Sequence, residues 1–412
     1  MLLGLVTCQI QDAIFVFPKG ATFQDKSRYF SGGIVWLALT YSCCAIALLI
    51  VSLLWSDALF IAQNALLIFL YLSGFGLQSY FQQFCRATDH MPLYAIIGLS
   101  FTLASVIVAL LWLPADPRGV VIVYSQLVGF AVSLVVAIGG GRLWRYWTLR
   151  WNDCRPYLGK MLKYSLPIIP TAFMWWAVMS LNRPFLSHCA SLSSVGIFAA
   201  AQKVPSVVFM CWGVLGNAWQ ISVLEEWHSE DFISYFKKIL SAFTVVVSFL
   251  CFVGTVLSPI YMRYFVGKDF YQAYKYVPLL LLGSVLSVLG GVLGTVFMAS
   301  QRSKYFLYSS LWMFAITVLL DMALIPKFGL MGASAAITVA FGAEFLSRLA
   351  YARKILRTNL MRIELLGLSL CVFQVLFFTL ANGSIRWVVP CLLFLFQGLI
   401  FVIPFMRARK AN

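Results

Sequence analysis

Long apolar runs, each bounded by charged or turn-forming residues, recur along the whole chain. They are continuous and lack the apolar–polar alternation of strands, so they predict helices rather than a transmembrane barrel. A helix needs about 20 apolar residues to cross bilayer hydrocarbon. Cutting at charged and turn residues gives thirteen candidate spans: 1–18, 31–55, 58–80, 91–114, 119–141, 165–187, 195–222, 239–262, 277–300, 305–325, 329–351, 363–382 and 385–406. The first is the weakest, because it carries Gln9, Gln11 and Asp12. The expected fold is an all-α polytopic membrane protein of about thirteen transmembrane helices.

Composition strengthens that reading. Of 412 residues, 62% are apolar and 11% charged, against about 45–50% and about 25% in soluble domains. Spans on this scale leave almost nothing for a soluble catalytic domain, so any chemistry falls within the bilayer.

Charge sets the expected orientation. The formal net charge is +16, and cations in short loops are retained on the cytoplasmic side. Twenty-one of the thirty Lys and Arg fall in one set of alternate loops, including Arg142, Arg145, Arg150, Arg155, Lys160 and Lys163 together. Seven fall in the opposite set, and Lys203 and Arg348 lie inside spans. The C-terminus is therefore expected in the cytoplasm. Thirteen spans would then start the chain outside, although the first lacks a charged leader and a continuous apolar stretch. Either one earlier helix is missing from this sequence, or residues 1–18 lie at the interface. The basic loops also keep two readings: they fix topology and touch anionic membrane lipid, or their field gathers an anionic, lipid-like substrate. No nucleic-acid partner is expected.

Enzyme signatures fail. His90, His188 and His228 sit in or beside different loops without metal-ligand spacing, and the ten cysteines contain no CxxC pair. No metal site or cofactor is expected. Gly290 and Gly294 form a GxxxG inside an apolar span, a helix-packing signal. The longest outer loop runs only from about residue 263 to 276, short for a membrane polymerase, ligase or glycosyltransferase.

Polar residues inside spans are costly and mark bundle interiors or water-filled pathways. The candidates are Asp12, Asn182 with Arg183, Gln202 with Lys203, Asn217, Asp321, Glu344, Arg348 and Gln374. Glu344 and Arg348 stand four apart, the spacing of a local ion pair. Asp321 and Arg183 lie near span ends, from which they could reach the interface. Lys203 sits deep in its span and is followed by Pro205, which frees a backbone carbonyl and bends the helix, so it is expected in a polar lumen. The stretch EEWHSEDFISYFKK, residues 225–238, reads as a short interfacial helix. Ser229 would cap it, with Trp227, Phe232 and Phe236 on the membrane surface.

Several segments resemble one family in order and spacing. YSLPIIP from Tyr164, then SLNRPFLSHCASLSSVGIFAAAQKVPS, NAWQISVLEEWHSEDFISYFKK, VGKDFYQAYKYVPLLLLGSVL and ALIPKFGLMGASAAI are similar to bacterial oligosaccharide flippases of the Wzx type. These belong to the multidrug/oligosaccharidyl-lipid/polysaccharide exporter superfamily. The resemblance covers nearly the whole chain and is strongest from Met161 to Arg353. It also implies a further helix before LLGLVTCQIQDAIFVF. Asn182 departs from the pattern, since many relatives carry an acid there.

The resemblance implies two helical lobes that rock about a central cavity. The first would be residues 1–141, followed by a basic cytoplasmic linker at 142–164, a second lobe at 165–351, and two additional helices with a basic tail at 352–412. It implies transfer of a polyprenyl-diphosphate-linked oligosaccharide to the outer leaflet of the bacterial inner membrane. O-antigen, capsule or exopolysaccharide assembly would follow, with a polysaccharide polymerase and chain-length machinery as further partners. Arg183 and Lys203 would bind the diphosphate, with Gln202, Asn182 and Asn217 lining the lumen and Gln202 and Asn217 touching sugars. Arg86, within QQFCRATDH, would be the inner-mouth cation. Asp12, Asp321, Glu344 and Arg348 remain for proton or sodium coupling or for ion pairing. Two other classes stay open: a cation-coupled drug or metabolite antiporter of the same superfamily, and an integral membrane polysaccharide-assembly enzyme.

Overall fold

The computed structural model describes residues 2–54, 59–113, 119–148, 150–189, 191–360 and 362–380. The span expected at 385–406, its basic tail, and the loop cations Arg118 and Arg386 lie outside them. The described residues are helical, with no strand among them, and nine of the helices are long and apolar enough to cross a membrane.

In chain order the helices are α1 (Leu2–Thr7), α2 (Ile10–Val16), α3 (Phe23–Leu54), α4 (Leu59–Ala87), α5 (Met91–Trp112), α6 (Val120–Gly141) and α7 (Trp151–Ser165). Then come α8 (Ile168–Ser180), α9 (Asn182–Cys189), α10 (Leu192–Glu226), α11 (Phe232–Tyr261), α12 (Val277–Ala299), α13 (Lys304–Leu356) and α14 (Arg362–Leu380). They form two compact units, Met1–Ala172 and Phe173–Asn412.

In the first unit the weakest expected span is two short helices. Cys8 and Gln9 take left-handed backbone angles between α1 and α2, and the Thr7 hydroxyl donates to Gln11 Oε1 at 3.0 Å beside the break. Ile10, Ala13, Ile14, Phe15 and Val16 are buried, and α2 packs on α4 and α7. Residues 10–16 are thus inside the unit rather than at an interface. The basic segment packs here too. On α7 the apolar positions Cys154, Leu158 and Met161 are buried while Arg155, Lys160 and Lys163 are exposed, the one-sided pattern of a helix lying on another element. Its partner is α3, where Tyr157 donates to Asp25 Oδ1 at 2.6 Å and accepts from Arg28 at 3.1 Å.

One glycine in this unit is required by close approach. The Tyr80 hydroxyl donates to the Phe30 carbonyl at 2.9 Å, and a Cβ on Gly33 would lie 2.0 Å from that hydroxyl oxygen and 2.6 Å from the ring carbon Cζ. Gly33→Ala is expected to destabilise the protein by about 1–3 kcal/mol through overpacking, read as a lower melting midpoint in detergent. Adding Tyr80→Phe should recover only part of the loss, because the ring carbon stays in place.

The second unit is built on α12. Its sequence is apolar on every face, which suits a helix covered all round. It is buried along most of its length and packs against α10, α11, α13 and α14. Helix α13 is two helices joined at Gly329, whose φ of 53° and ψ of −126° leave the helical region. The turn is tight: a Cβ on Gly332 would lie 2.4 Å from the Leu324 carbonyl oxygen. Of the two additional helices expected within 352–412, α14 contributes Leu368, Cys371 and Val375 to this core, because it packs on α11 and α12. The stretch 225–238 does not form the separate interfacial helix expected there. Its first residues end α10, Phe232 opens α11, and Phe232 and Phe236 are buried at 4% and 0% exposure. Trp219 and Trp227 supply the aromatic faces that cover them.

Candidate functional site in the second unit

Two prolines shape the site. Pro184 sits in the first turns of α9 and has no N–H, so the helical bond to the Ser180 carbonyl is lost and the chain breaks at Leu181 between α8 and α9. Pro205 does the same to the Ala201 carbonyl inside α10. Beside these two irregularities lies a cavity of about 340 Å³, lined by Ser180, Arg183, Gln202, Lys203 and Ser206 on its polar side and by apolar residues including Phe209 and Phe341. Arg183 and Lys203 are exposed and Gln202 half-buried. Among the described residues, both charged members of the lining are cations and none is an acid.

The fold therefore brings Arg183, Gln202 and Lys203 to one wall. Asn182 and Asn217 do not join them. Asn182 points inward, fully buried, with Nδ2 donating to the Val178 carbonyl at 3.1 Å and a buried Oδ1 that accepts no hydrogen bond. Helical rotation explains this, since adjacent residues on a helix face different sides. Asn217 is on α10, but fourteen residues beyond Lys203, about 21 Å along the axis at 1.5 Å per residue, and it is absent from the lining.

Two other expectations meet a different environment, while the local ion pair expected of Glu344 and Arg348 forms. Asp321 does not reach an interface: it is 0% exposed on α13, and neither carboxylate oxygen has a hydrogen-bond partner. Arg86 is no open mouth. It is 2% exposed, its guanidinium lies 4.0 Å from the Phe15 ring centroid, Nη1 donates to Gln83 at 3.3 Å, and Asp12 is within electrostatic reach. The apolar face of α2 covers it, which a reading of loop position alone could not show. Glu344 and Arg348 form an ion pair of 2.5 Å, at 1% and 10% side-chain exposure. Arg348 Nε also donates to Ser309 at 3.2 Å, and the guanidinium lies 5.6 Å from the Phe306 ring centroid.

That pair explains the glycines of α12. A Cβ on Gly290 would lie 3.7 Å from Arg348 Cδ. One on Gly294 would lie 3.6 Å from Arg348 Nη1 and 2.9 Å from Phe306 Cε1. The GxxxG thus lets α13 approach α12 with a long cationic side chain laid between them. No group of three or more His, Cys, Asp or Glu able to hold a metal occurs among the described residues.

No family model and no curated protein matches the sequence. Solved structures do match. The Vibrio cholerae MATE transporter VcmN in its bent form is 12% identical, with 86% of each chain covered and a TM-score of 0.65. The lipid II flippase MurJ in an inward closed conformation is 14% identical, covering 99% of this chain and 90% of that one at a TM-score of 0.61. A MOP superfamily transporter from Pyrococcus furiosus, described as having a binding pocket of reverse polarity, is 12% identical, with 87% of each chain covered and a TM-score of 0.64. This chain has the helical fold of these membrane transporters and flippases, none of which is an enzyme.

Proposed function

We propose that this protein is a membrane flippase of the multidrug/oligosaccharidyl-lipid/polysaccharide exporter superfamily. It moves an anionic polyprenyl-diphosphate-linked oligosaccharide from the cytoplasmic to the outer leaflet of a bacterial inner membrane, by alternating access and with its C-terminus in the cytoplasm. The observation that carries this reading is the cavity wall of Arg183, Gln202 and Lys203, cationic and hydrogen-bonding with no acid among the described lining residues. A diphosphate and its sugars cannot enter hydrocarbon without groups that replace their water, and guanidinium and ammonium groups are the strongest such partners for phosphate oxygens. A cationic drug would be repelled by the same wall. The fold shared with a lipid II flippase supports a lipid-linked substrate.

One observation favours the antiporter class within the same superfamily. Asp321 is fully buried in the second unit, as Glu344 is, and a buried intramembrane carboxylate is the kind of group that carries a coupling ion. In the flippase reading Asp321 supplies proton or sodium coupling while the cationic wall holds the substrate.

The test is the leaflet distribution of polyprenyl-diphosphate-linked oligosaccharide in cells lacking the gene. Accumulation on the cytoplasmic leaflet, relieved by restoring the gene, is the expected result. An unchanged distribution accompanied by sensitivity to toxic organic cations would replace the flippase by a drug antiporter.

A further inference from the structure

Lys203 borders two cavities. Besides the polar one, it lines a second furrow of about 240 Å³ between α10 and α11. Apart from Lys203, the furrow is almost wholly apolar: Val207 comes from α10, Val253, Leu257 and Tyr261 form one stripe of α11, and Leu281 of α12 makes the floor. The stripe follows the three-to-four-residue spacing of one helix face. Gly254 sets the depth. A Cβ there would lie 2.8 Å from Leu281 Cδ1 and 3.6 Å from Val204 Cγ1, so glycine lets the floor sit close to the α11 backbone. Val207 and Leu257 are 58% and 49% exposed, and the furrow is open along that side.

A polar cavity and an apolar furrow that share one ammonium group match an amphiphile whose charge sits at the joint between its two parts. We propose that the furrow between α10 and α11 binds the first part of the hydrocarbon chain of the transported lipid, while its headgroup occupies the adjoining polar cavity and Lys203 pairs with the phosphate at the junction. This rests on the flippase reading and adds to it the path of the chain. Charge complementarity selects the occupant. An uncharged lipid leaves Lys203 without a counter-charge, and a water-soluble substrate leaves the furrow without a role. The chain remains next to bilayer hydrocarbon throughout, so only the headgroup has to be taken from water. Holding the chain here also fixes which end of the headgroup meets Arg183.

The experiment compares two ligands on the intact protein in lipid nanodiscs: a long-chain polyprenyl diphosphate bearing a sugar, and the same sugar diphosphate without a chain. Val207→Trp and Leu257→Trp fill the furrow from its open side, at positions 58% and 49% exposed rather than in the core. Both variants should bind the long-chain ligand about tenfold more weakly and the chainless ligand as the wild-type protein does. Independently of any variant, a photoactivatable group on the first isoprene units should label α11 in the peptide containing Leu257, and unlabelled long-chain ligand should displace it. Long-chain binding unchanged in both variants overturns the proposal while the flippase reading stands. So does labelling of α11 that phosphatidylglycerol carrying the same group matches and polyprenyl diphosphate cannot compete away. If neither ligand binds the wild-type protein, the flippase reading and this proposal fall together.

Discussion

Replacing Arg183 and Lys203 together by glutamine should lower substrate transfer by about a hundredfold or more. The two side chains bring the only formal charges among the described residues to the cavity lining, and a hydrogen bond to a charged group contributes about 1.5–3 kcal/mol. Two such losses, with tenfold in affinity for each 1.4 kcal/mol, set the size of the effect. Because both residues are exposed, their removal should leave expression and melting unchanged, which separates this variant from a folding defect. Conservative exchanges refine the outcome. Arg183→Lys keeps the charge but loses the planar fork that grips two phosphate oxygens, so it should fall between wild type and the double variant. Lys203→Arg should retain most activity, a compact point charge being replaced by a fork. The measurement is transfer of a fluorescent polyprenyl-diphosphate sugar between leaflets of proteoliposomes. A double variant that transfers at the wild-type rate would remove the cationic wall from the mechanism.

Arg183 and Lys203 were visible in the sequence for a physical reason. Charged side chains inside apolar runs stand out against a background that excludes them, and Pro205 marked the bend beside Lys203. Helices were legible on the same grounds, since the apolar runs at 31–55 over α3 and 239–262 over α11 leave few alternatives. The breaks were harder. The α8–α9 break at Leu181 and the left-handed pair Cys8 and Gln9 depend on a local backbone geometry that apolarity does not encode, although Pro184 was a signal for the first.

Burial of polar groups was not legible either. Asp321 was placed by its distance from a span end and Arg86 by its loop position and the resemblance of QQFCRATDH, but the covering surface comes from residues distant in sequence. For Arg86 it is Phe15, on a helix seventy positions away along the chain. Asn182 shows the same limit at the scale of one residue. Its neighbour Arg183 lines the cavity while its own amide turns inward, a difference of one helical step. The furrow between α10 and α11 escaped notice because Val207, Val253 and Leu257 are ordinary members of apolar runs. Its floor depends on Gly254 meeting Leu281 of a third helix, a contact without a pattern in the sequence.

Arg348→Met should cost the second unit about 3–5 kcal/mol, the loss expected when one partner of a buried ion pair is removed and the other stays charged. The carboxylate left behind is Glu344, 1% exposed; Arg348 meets its Oε1 at 2.5 Å, and its Oε2 has no hydrogen-bond partner. Nothing else described around Glu344 replaces that contact, and hydrocarbon outside the bundle offers no water. The pair also packs: the Arg348 stem lies against Gly290 and Gly294, and methionine fills a similar volume without the charge. The double variant Glu344→Gln, Arg348→Met should therefore recover most of the lost stability, because no ion remains to be desolvated. The melting midpoint of the purified protein in detergent distinguishes these outcomes, and R348M melting with the wild type would show that the pair contributes little. The same variants separate packing from coupling. If the pair is structural, the stable double variant should still transfer substrate. A double variant that melts normally but transfers nothing would instead assign Glu344 to the coupling ion, and Asp321 would lose that role.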